Sequence, residues 1–284
     1  MKVSTATSVL VHYTLESAID KVISIGFDGV EIWCGRPHLF RRDYSEDFVF
    51  ALGEKIRKSG LDIVSAMPAF YRYPFSLSNP IESVCHESVS YMTDCIDNAA
   101  LVGAGYVLVV PMSCLFNQTA AEARKLFVKN LALVCDYAER KRVKLGLEVL
   151  CPGSCNFMPK TKDAVDIINE LGSDCLGIVL DTGEMNLSKD SFESAFDIAG
   201  ERIINIHVND NNGIDETNSI PGEYNFDFYA LRDTLQRNHY NGYLSLELGY
   251  HYSSNPVEAL SKAIAVTRDI FGIKKRIHQP IRVN

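Results

Sequence analysis

The sequence lacks the features that would indicate a membrane or nucleic-acid protein. It has no low-complexity tract and no apolar run approaching the roughly 20 residues that cross a bilayer. Its net charge of -8 opposes a protein whose main task is to neutralise nucleic-acid phosphates. The first residues carry one lysine and a short, interrupted apolar stretch, which is not the pattern of a signal peptide. We therefore expect a cytoplasmic protein that binds neither membrane nor nucleic acid.

Two kinds of binding motif are also missing. None of the eight cysteines belongs to a Cys-x-x-Cys pair, which opposes a zinc knuckle and indicates reduced, mostly buried thiols. No Gly-x-Gly-x-x-Gly follows the first predicted strand, so nothing indicates a dinucleotide site.

What the sequence does contain is a regular alternation of short β-branched runs and amphipathic stretches from end to end. The predicted strands are residues 2–7, 29–33, 61–66, 106–110, 144–149, 176–181, 203–208 and 243–248. The predicted helices are residues 15–25, 45–59, 81–103, 118–140, 161–171, 191–199, 226–238 and 255–271. Several helices are followed by the glycine typical of a helix C-terminus, as in "ISIGFDG" and "NELGSD".

Eight β-then-α units without a break in composition predict an α/β protein with parallel strands. Eight units can close into a single (β/α)8 TIM barrel, which commonly takes about 250 residues. We expect this barrel over residues 1–273, followed by a basic C-terminal tail at 274–284. A doubly wound open sheet is the structural alternative.

In a TIM barrel the functional residues lie where strands end, and four consecutive predicted strands end on ionisable side chains. They are Glu148, Asp181, His207 and Glu247. Three carboxylates this close would repel one another and lose solvation unless a cation held them. We therefore expect one divalent metal ion. The oxygen-rich donor set favours manganese, with cobalt, magnesium, nickel or zinc as the other candidates.

The segments around these residues, "LEVL", "LDTGEMN", "IHVND", "IPGEY" and "LSLELGY", resemble the xylose isomerase-like TIM barrels, in particular the sugar and ketose 3-epimerases. "GFDGVEIWCGRPHLF" at 26–40 resembles fructoselysine 3-epimerase most. The resemblance implies an enzyme that epimerises a ketose or ketosamine at the carbon next to the carbonyl, through a cis-enediolate. It implies that Glu148, Asp181, His207 and Glu247 bind the metal and that Glu148 and Glu247 also transfer the proton. It further implies a sugar substrate and a homodimer or homotetramer.

Seven side chains near the predicted strand ends are candidates for substrate binding. They are Trp33, Arg36, His38, Tyr71, Glu184, Asn209 and Glu223. For most of them a structural role is an open alternative: Trp33 could pack in the core, Arg36 and His38 could brace a loop, and Asn209 could orient His207.

The sequence departs from the ketohexose 3-epimerase pattern at three sugar-contacting positions, where it has Ser154, Glu184 and Gly213. These changes leave the substrate open, and an acidic Glu184 would suit a substrate with a free amine. A metal-dependent lyase of the same family, of the inosose dehydratase or C-glycoside-cleaving type, is the main alternative function. An endonuclease IV-like repair enzyme shares the barrel, but its three-zinc site needs more ligands than the first four predicted strands offer.

Overall fold

Eight parallel strands form one closed barrel in the computed structural model, which describes residues 1–275. Each strand pairs with its neighbours in sequence, and β1 also pairs with β8, which closes the barrel. The strands are β1 Lys2–Ala6, β2 Gly29–Trp33, β3 Asp62–Met67, β4 Tyr106–Val109, β5 Lys144–Glu148, β6 Leu176–Asp181, β7 Ile203–Val208 and β8 Tyr243–Leu246. The predicted single TIM barrel is confirmed.

The helices surround the barrel and follow the strands in turn. They are α1 Leu15–Ile25, α2 Glu46–Lys58, α3 Glu82–Val102, α4 Ala120–Lys141, α5 Thr161–Leu171, α6 Thr182–Ser188, α7 Phe192–Ala199, α8 Phe228–Arg237 and α9 Pro256–Phe271. Local sequence explains their limits. Thr119 and Glu122 form a capping box at the start of α4. Gly26 and Gly172 end α1 and α5 at φ values of 95° and 61°, a left-handed conformation that glycine adopts without strain.

The strands are short and buried on both faces, as parallel strands covered by helices must be. All of β2, β4 and β6 is buried, which explains why these segments are nearly continuous in apolar residues. Over the described chain, no helix is both long and apolar enough to span a membrane. Residues 276–284 of the predicted basic tail lie outside the described residues, and the boundary at residue 273 stays a prediction.

The structure differs from the sequence-based assignment after β6 and at β8. No helix is predicted between residues 171 and 191, but Thr182–Ser188 form helix α6, whose N-terminus Asp181 caps by accepting a hydrogen bond from Glu184 N. Strand β8 ends at Leu246, so Glu247 lies one residue beyond it, although Glu247 N still bonds to Val208 O at 3.3 Å. Both differences lie at the end of the barrel where the strands terminate.

Candidate metal centre

Four side chains from consecutive strands converge at the carboxyl-terminal end of the barrel. Each of Glu148, Asp181, His207 and Glu247 offers a donor atom that lies within 4.8 Å of the other three. His207 Nδ1 lies 2.8 Å from Glu148 Oε1 and 2.8 Å from Glu247 Oε2. Asp181 pairs with His207 in the strand register, which places the two side chains next to each other.

The electrostatics of this cluster are those of crowded, buried charges. Burial raises the pKa of Asp181 well above its usual value, and the carboxylates of Glu247 and Glu148 raise it further. Burial also raises the pKa of Glu148. For His207 burial acts to lower the pKa, but the surrounding carboxylates outweigh it and raise the pKa well above its usual value. Without a cation, the cluster therefore holds protons.

Beneath the cluster a fifth ionisable residue faces His207 from the opposite side. Glu31, in the middle of β2, is fully buried, and its Oε2 lies 3.2 Å from His207 Nε2, although the two atoms are not aligned as a hydrogen bond. Ser65 Oγ and Tyr106 OH donate to Glu31 Oε1 at 2.6 and 2.8 Å. A carboxylate behind an imidazole fixes the ring orientation and leaves the other nitrogen for a metal.

Asp181 is held by the residues that follow it. Glu184 N donates to its Oδ1 at 2.8 Å, and Asn209 Nδ2 donates to its Oδ2 at 2.7 Å. Gly183 makes the second contact possible, because a Cβ at that position would lie 2.1 Å from Asn209 Oδ1. The backbone φ of Gly183 is not in the left-handed region. Glycine is therefore required here because the Asn209 side chain approaches so closely, and not because of the backbone conformation.

The residues fit a divalent ion. Three carboxylates and one imidazole nitrogen within 4.8 Å of one another supply the donors that hard divalent cations take. Leaving so many buried acidic groups without a cation is costly, as the raised pKa values of Asp181 and Glu148 reflect. The position of Glu31 behind His207 also fits a divalent ion, because it leaves His207 Nδ1 facing the other three donors.

The cluster opens into a cavity of about 690 Å³. Glu148, Asp181 and Glu247 lie in its floor, whereas His207 is fully buried below them. Apolar and aromatic side chains form much of the wall, among them Trp33, Phe70, Tyr71 and Tyr250. A mostly apolar cavity with a few convergent polar groups is the usual form of a small-molecule site.

Three of the seven predicted substrate residues line this cavity: Trp33, Tyr71 and Glu184. Glu184 accepts a hydrogen bond from Cys151 N at 2.5 Å. Burial, together with the nearby Asp181 and Glu216 carboxylates, raises its pKa to about 11.

The structure places the other four away from the cavity, which corrects the sequence-based expectation. Arg36 points outward and pairs with Asp43 at 2.6 Å. His38 is buried between Thr7 Oγ1 and Tyr13 O, and burial lowers its pKa to about 4, so it packs as a neutral ring.

Glu223 and Asn209 have structural partners of their own. Glu223 bonds to Tyr252 and pairs with Lys262 at 2.6 Å. Asn209 is fully buried and contacts Asp181 instead of the cavity. It orients that carboxylate, whereas the sequence-based alternative had it orient His207.

Two residues of the site were not predicted from the sequence. Glu31 was missed although a single carboxylate among the apolar residues of "GVEIW" was a signal that it points inward. Glu216 lines the cavity from the loop after β7, where Ser154 Oγ donates to it at 2.8 Å. No strand end marks its position, so the sequence carried no comparable signal.

Comparison with known proteins agrees with this geometry. The family model described as xylose isomerase-like TIM barrel matches residues 19–270. The chain belongs to this family. Fructoselysine 3-epimerase from Shigella flexneri is 28% identical over 243 residues, which cover 85% of this chain and 88% of that protein. D-psicose 3-epimerase from Enterocloster bolteae is 25% identical over 235 residues, covering 81% and 75% of the two chains.

Solved structures have the same fold. The crystal structure of the IolI protein with a bound zinc atom has a TM-score of 0.81 at 22% identity and covers 96% of this chain and 98% of that one. A D-psicose 3-epimerase structure determined in the presence of D-fructose has a TM-score of 0.79 at 19% identity, covering 96% and 100%. At these identities the likeness establishes the fold alone.

Proposed function

We propose that this chain is a divalent-metal-dependent epimerase that inverts carbon 3 of a ketose or ketosamine. The observation that carries the proposal is the convergence of Glu148, Asp181, His207 and Glu247 within 4.8 Å at the floor of a cavity large enough for a sugar. The names of the relatives that span most of the chain, fructoselysine and D-psicose 3-epimerase, support the same reaction.

A divalent ion bound by the four residues would polarise the substrate carbonyl and so favour loss of the proton on the neighbouring carbon. Epimerisation needs one group to remove that proton and another to return a proton to the opposite face. Glu148 and Glu247 come from β5 and from the end of β8, and both face the cavity. We assign them these two proton transfers.

The environments of the two glutamates fit this task. The Glu148 side chain is 6% exposed and the Glu247 side chain 20% exposed, so both are shielded from water while still reaching the cavity. Asp181 and His207 would serve as ligands, with Asn209 and Glu31 holding them in position.

We further propose manganese as the resident ion, because oxygen donors outnumber the single nitrogen. A cytoplasmic location and a homodimeric or homotetrameric assembly remain predictions, from the terminal sequence and from the family resemblance respectively. Elemental analysis would identify the ion, cell fractionation the location, and light scattering the number of chains in the assembly.

Proton NMR in deuterated water tests the reaction. The metal-loaded protein should introduce deuterium at C3 of a ketose or ketosamine, with D-fructose and fructoselysine as the first compounds. Asp181→Ala, which removes a ligand, should introduce none. Release of water or of a fragment would instead identify a lyase of the same family. Fully metal-loaded protein that exchanges no proton on any ketose or ketosamine would contradict the proposal.

A further inference from the structure

The cavity wall holds a second acidic group that the metal centre does not use. Carboxylate oxygens of Glu184 and Glu216 lie within 4.8 Å of each other and of Cys151 Sγ. Glu184 is only 6% exposed, and one of its oxygens accepts from Cys151 N. Among residues 1–275, nothing donates to its other oxygen. We call Glu184 and Glu216 the acidic pair.

The acidic pair has no basic partner among the residues that the structure describes. Glu216 accepts only from the hydroxyl of Ser154, at 2.8 Å. Arg72, which also lines the cavity, lies over the Tyr250 ring at 5.3 Å and forms no ion pair with either glutamate. Glu184 is buried in the cavity wall and Glu216 lies exposed beside it, so two acidic groups this close with no basic partner in the described chain form a place where a cation would be favoured.

A metal ion fits the acidic pair poorly. Hard divalent cations such as calcium take six to eight oxygen ligands, and the two glutamates with one serine hydroxyl fall well short of that number. The third group nearby, Cys151 Sγ, contacts Ser154 Oγ at 3.8 Å.

An organic ammonium fits better. It needs two or three acceptors in place of a full coordination shell. Tyr71 and Tyr224 line the same cavity, and aromatic rings attract alkylammonium groups.

We propose that Glu184 and Glu216 form a subsite for an ammonium group of the substrate, so that this enzyme acts on ketosamines in preference to neutral ketoses. The proposal rests on the proposed function, because it places the sugar carbonyl at Glu148 and Glu247 in the same cavity. The amine-bearing part of the substrate then extends along the wall to the acidic pair. Glu184 and Glu216 act in binding and specificity and take no part in proton transfer.

Glu216→Gln is the most direct test, because Glu216 is exposed and does not contact a metal ligand. The measured quantity is the ratio of kcat/KM for fructoselysine to kcat/KM for D-fructose. Turnover of each substrate is monitored by the incorporation of deuterium. Loss of a hydrogen bond between charged groups predicts that this ratio falls about 10- to 100-fold, mainly through a higher KM for fructoselysine. Glu184→Gln should lower the ratio in the same direction.

Asp215→Asn is the matched control, because it removes one charge from the neighbouring residue of the same exposed loop, outside the cavity lining. It should leave the ratio unchanged. An unchanged ratio in Glu216→Gln, or an equal loss for both substrates, would overturn the subsite while leaving the epimerase intact. A second metal ion bound by the wild type and absent from Glu216→Gln would also overturn it.

Binding separates this proposal from the proposed function. If neither ketose exchanges a proton with the wild type, the epimerase assignment fails, and calorimetric titration with fructoselysine still decides the subsite. An affinity at least tenfold weaker in Glu216→Gln than in Asp215→Asn would support the subsite. Equal affinities would refute it.

Discussion

Gly183→Ala should weaken metal binding without touching a metal ligand. The new Cβ would lie 2.1 Å from Asn209 Oδ1 and 2.9 Å from Asn211 Nδ2, distances that real Cβ atoms do not adopt. The backbone of Asn209 cannot withdraw, because its N and O are both bonded to Thr182 Oγ1, at 2.9 and 2.5 Å. The side chain must therefore move, and it takes with it the 2.7 Å hydrogen bond to Asp181 Oδ2.

The expected magnitude follows from that hydrogen bond. A hydrogen bond to a charged group contributes about 1.5–3 kcal/mol. Since 1.4 kcal/mol is a factor of ten, Gly183→Ala should bind Mn²⁺ about 10- to 100-fold more weakly than the wild type. Losses of this size are typical when a residue that supports a metal ligand is changed. Competition with a chromogenic chelator would measure the affinity.

A double-mutant cycle with Asn209→Ala tests the mechanism of this effect. Asn209→Ala removes the same hydrogen bond without a clash, so it should weaken binding by a similar factor. In the Asn209→Ala background the Cβ at position 183 no longer meets the amide, so Gly183→Ala should add little further loss. Losses that multiply would show that the two residues act independently. A Gly183→Ala protein that binds Mn²⁺ like the wild type would refute the structural argument altogether.

Two further predictions concern the same centre. Glu31→Gln should weaken Mn²⁺ binding about 10- to 100-fold, because the carboxylate behind His207 is lost. Competition with a chelator would measure the affinity. An unchanged affinity would show that Glu31 does not orient His207. The second concerns pH. Because the pKa values of Asp181, Glu148 and His207 are raised, the metal-free folded protein binds more protons than the unfolded chain, and its stability falls as pH rises, by about 1.4 kcal/mol per pH unit for each proton. Bound metal displaces these protons, so the increase in Tm on adding Mn²⁺ to EDTA-treated protein should grow between about pH 5 and pH 8. If the Tm increase on adding Mn²⁺ instead became smaller from about pH 5 to pH 8, the assignment of these residues as metal ligands would be contradicted.

Much of the fold could be predicted from the sequence because the strands are short apolar runs and most helices show a helical period, several with a glycine at the end. Helix α6 could not, since its seven residues are too few to show a helical period and Thr182 and Gly183 resemble a turn. Its start is set by Asp181, which caps the helix through Glu184 N while its other oxygen is held by Asn209.

The convergence of Glu148, Asp181, His207 and Glu247 could be predicted because strand ends in a parallel barrel share one face. Their supporting residues depend on contacts between distant segments. Glu31 on β2 meets His207 on β7 only when the barrel closes. Asn209 directly follows β7 and contacts Asp181 at the end of the neighbouring strand β6. Loop residues were hardest to place, since sequence does not fix the direction of a loop side chain: Arg36 turned to Asp43 and His38 turned into the core.

Elemental analysis of the purified protein tests the central claim most directly. We predict one divalent ion per chain in the wild type, lost together with epimerase activity in Asp181→Ala and in EDTA-treated wild type, and activity restored to the EDTA-treated wild type by added Mn²⁺. A wild-type preparation that is active on a ketose or ketosamine and contains no metal would contradict the account.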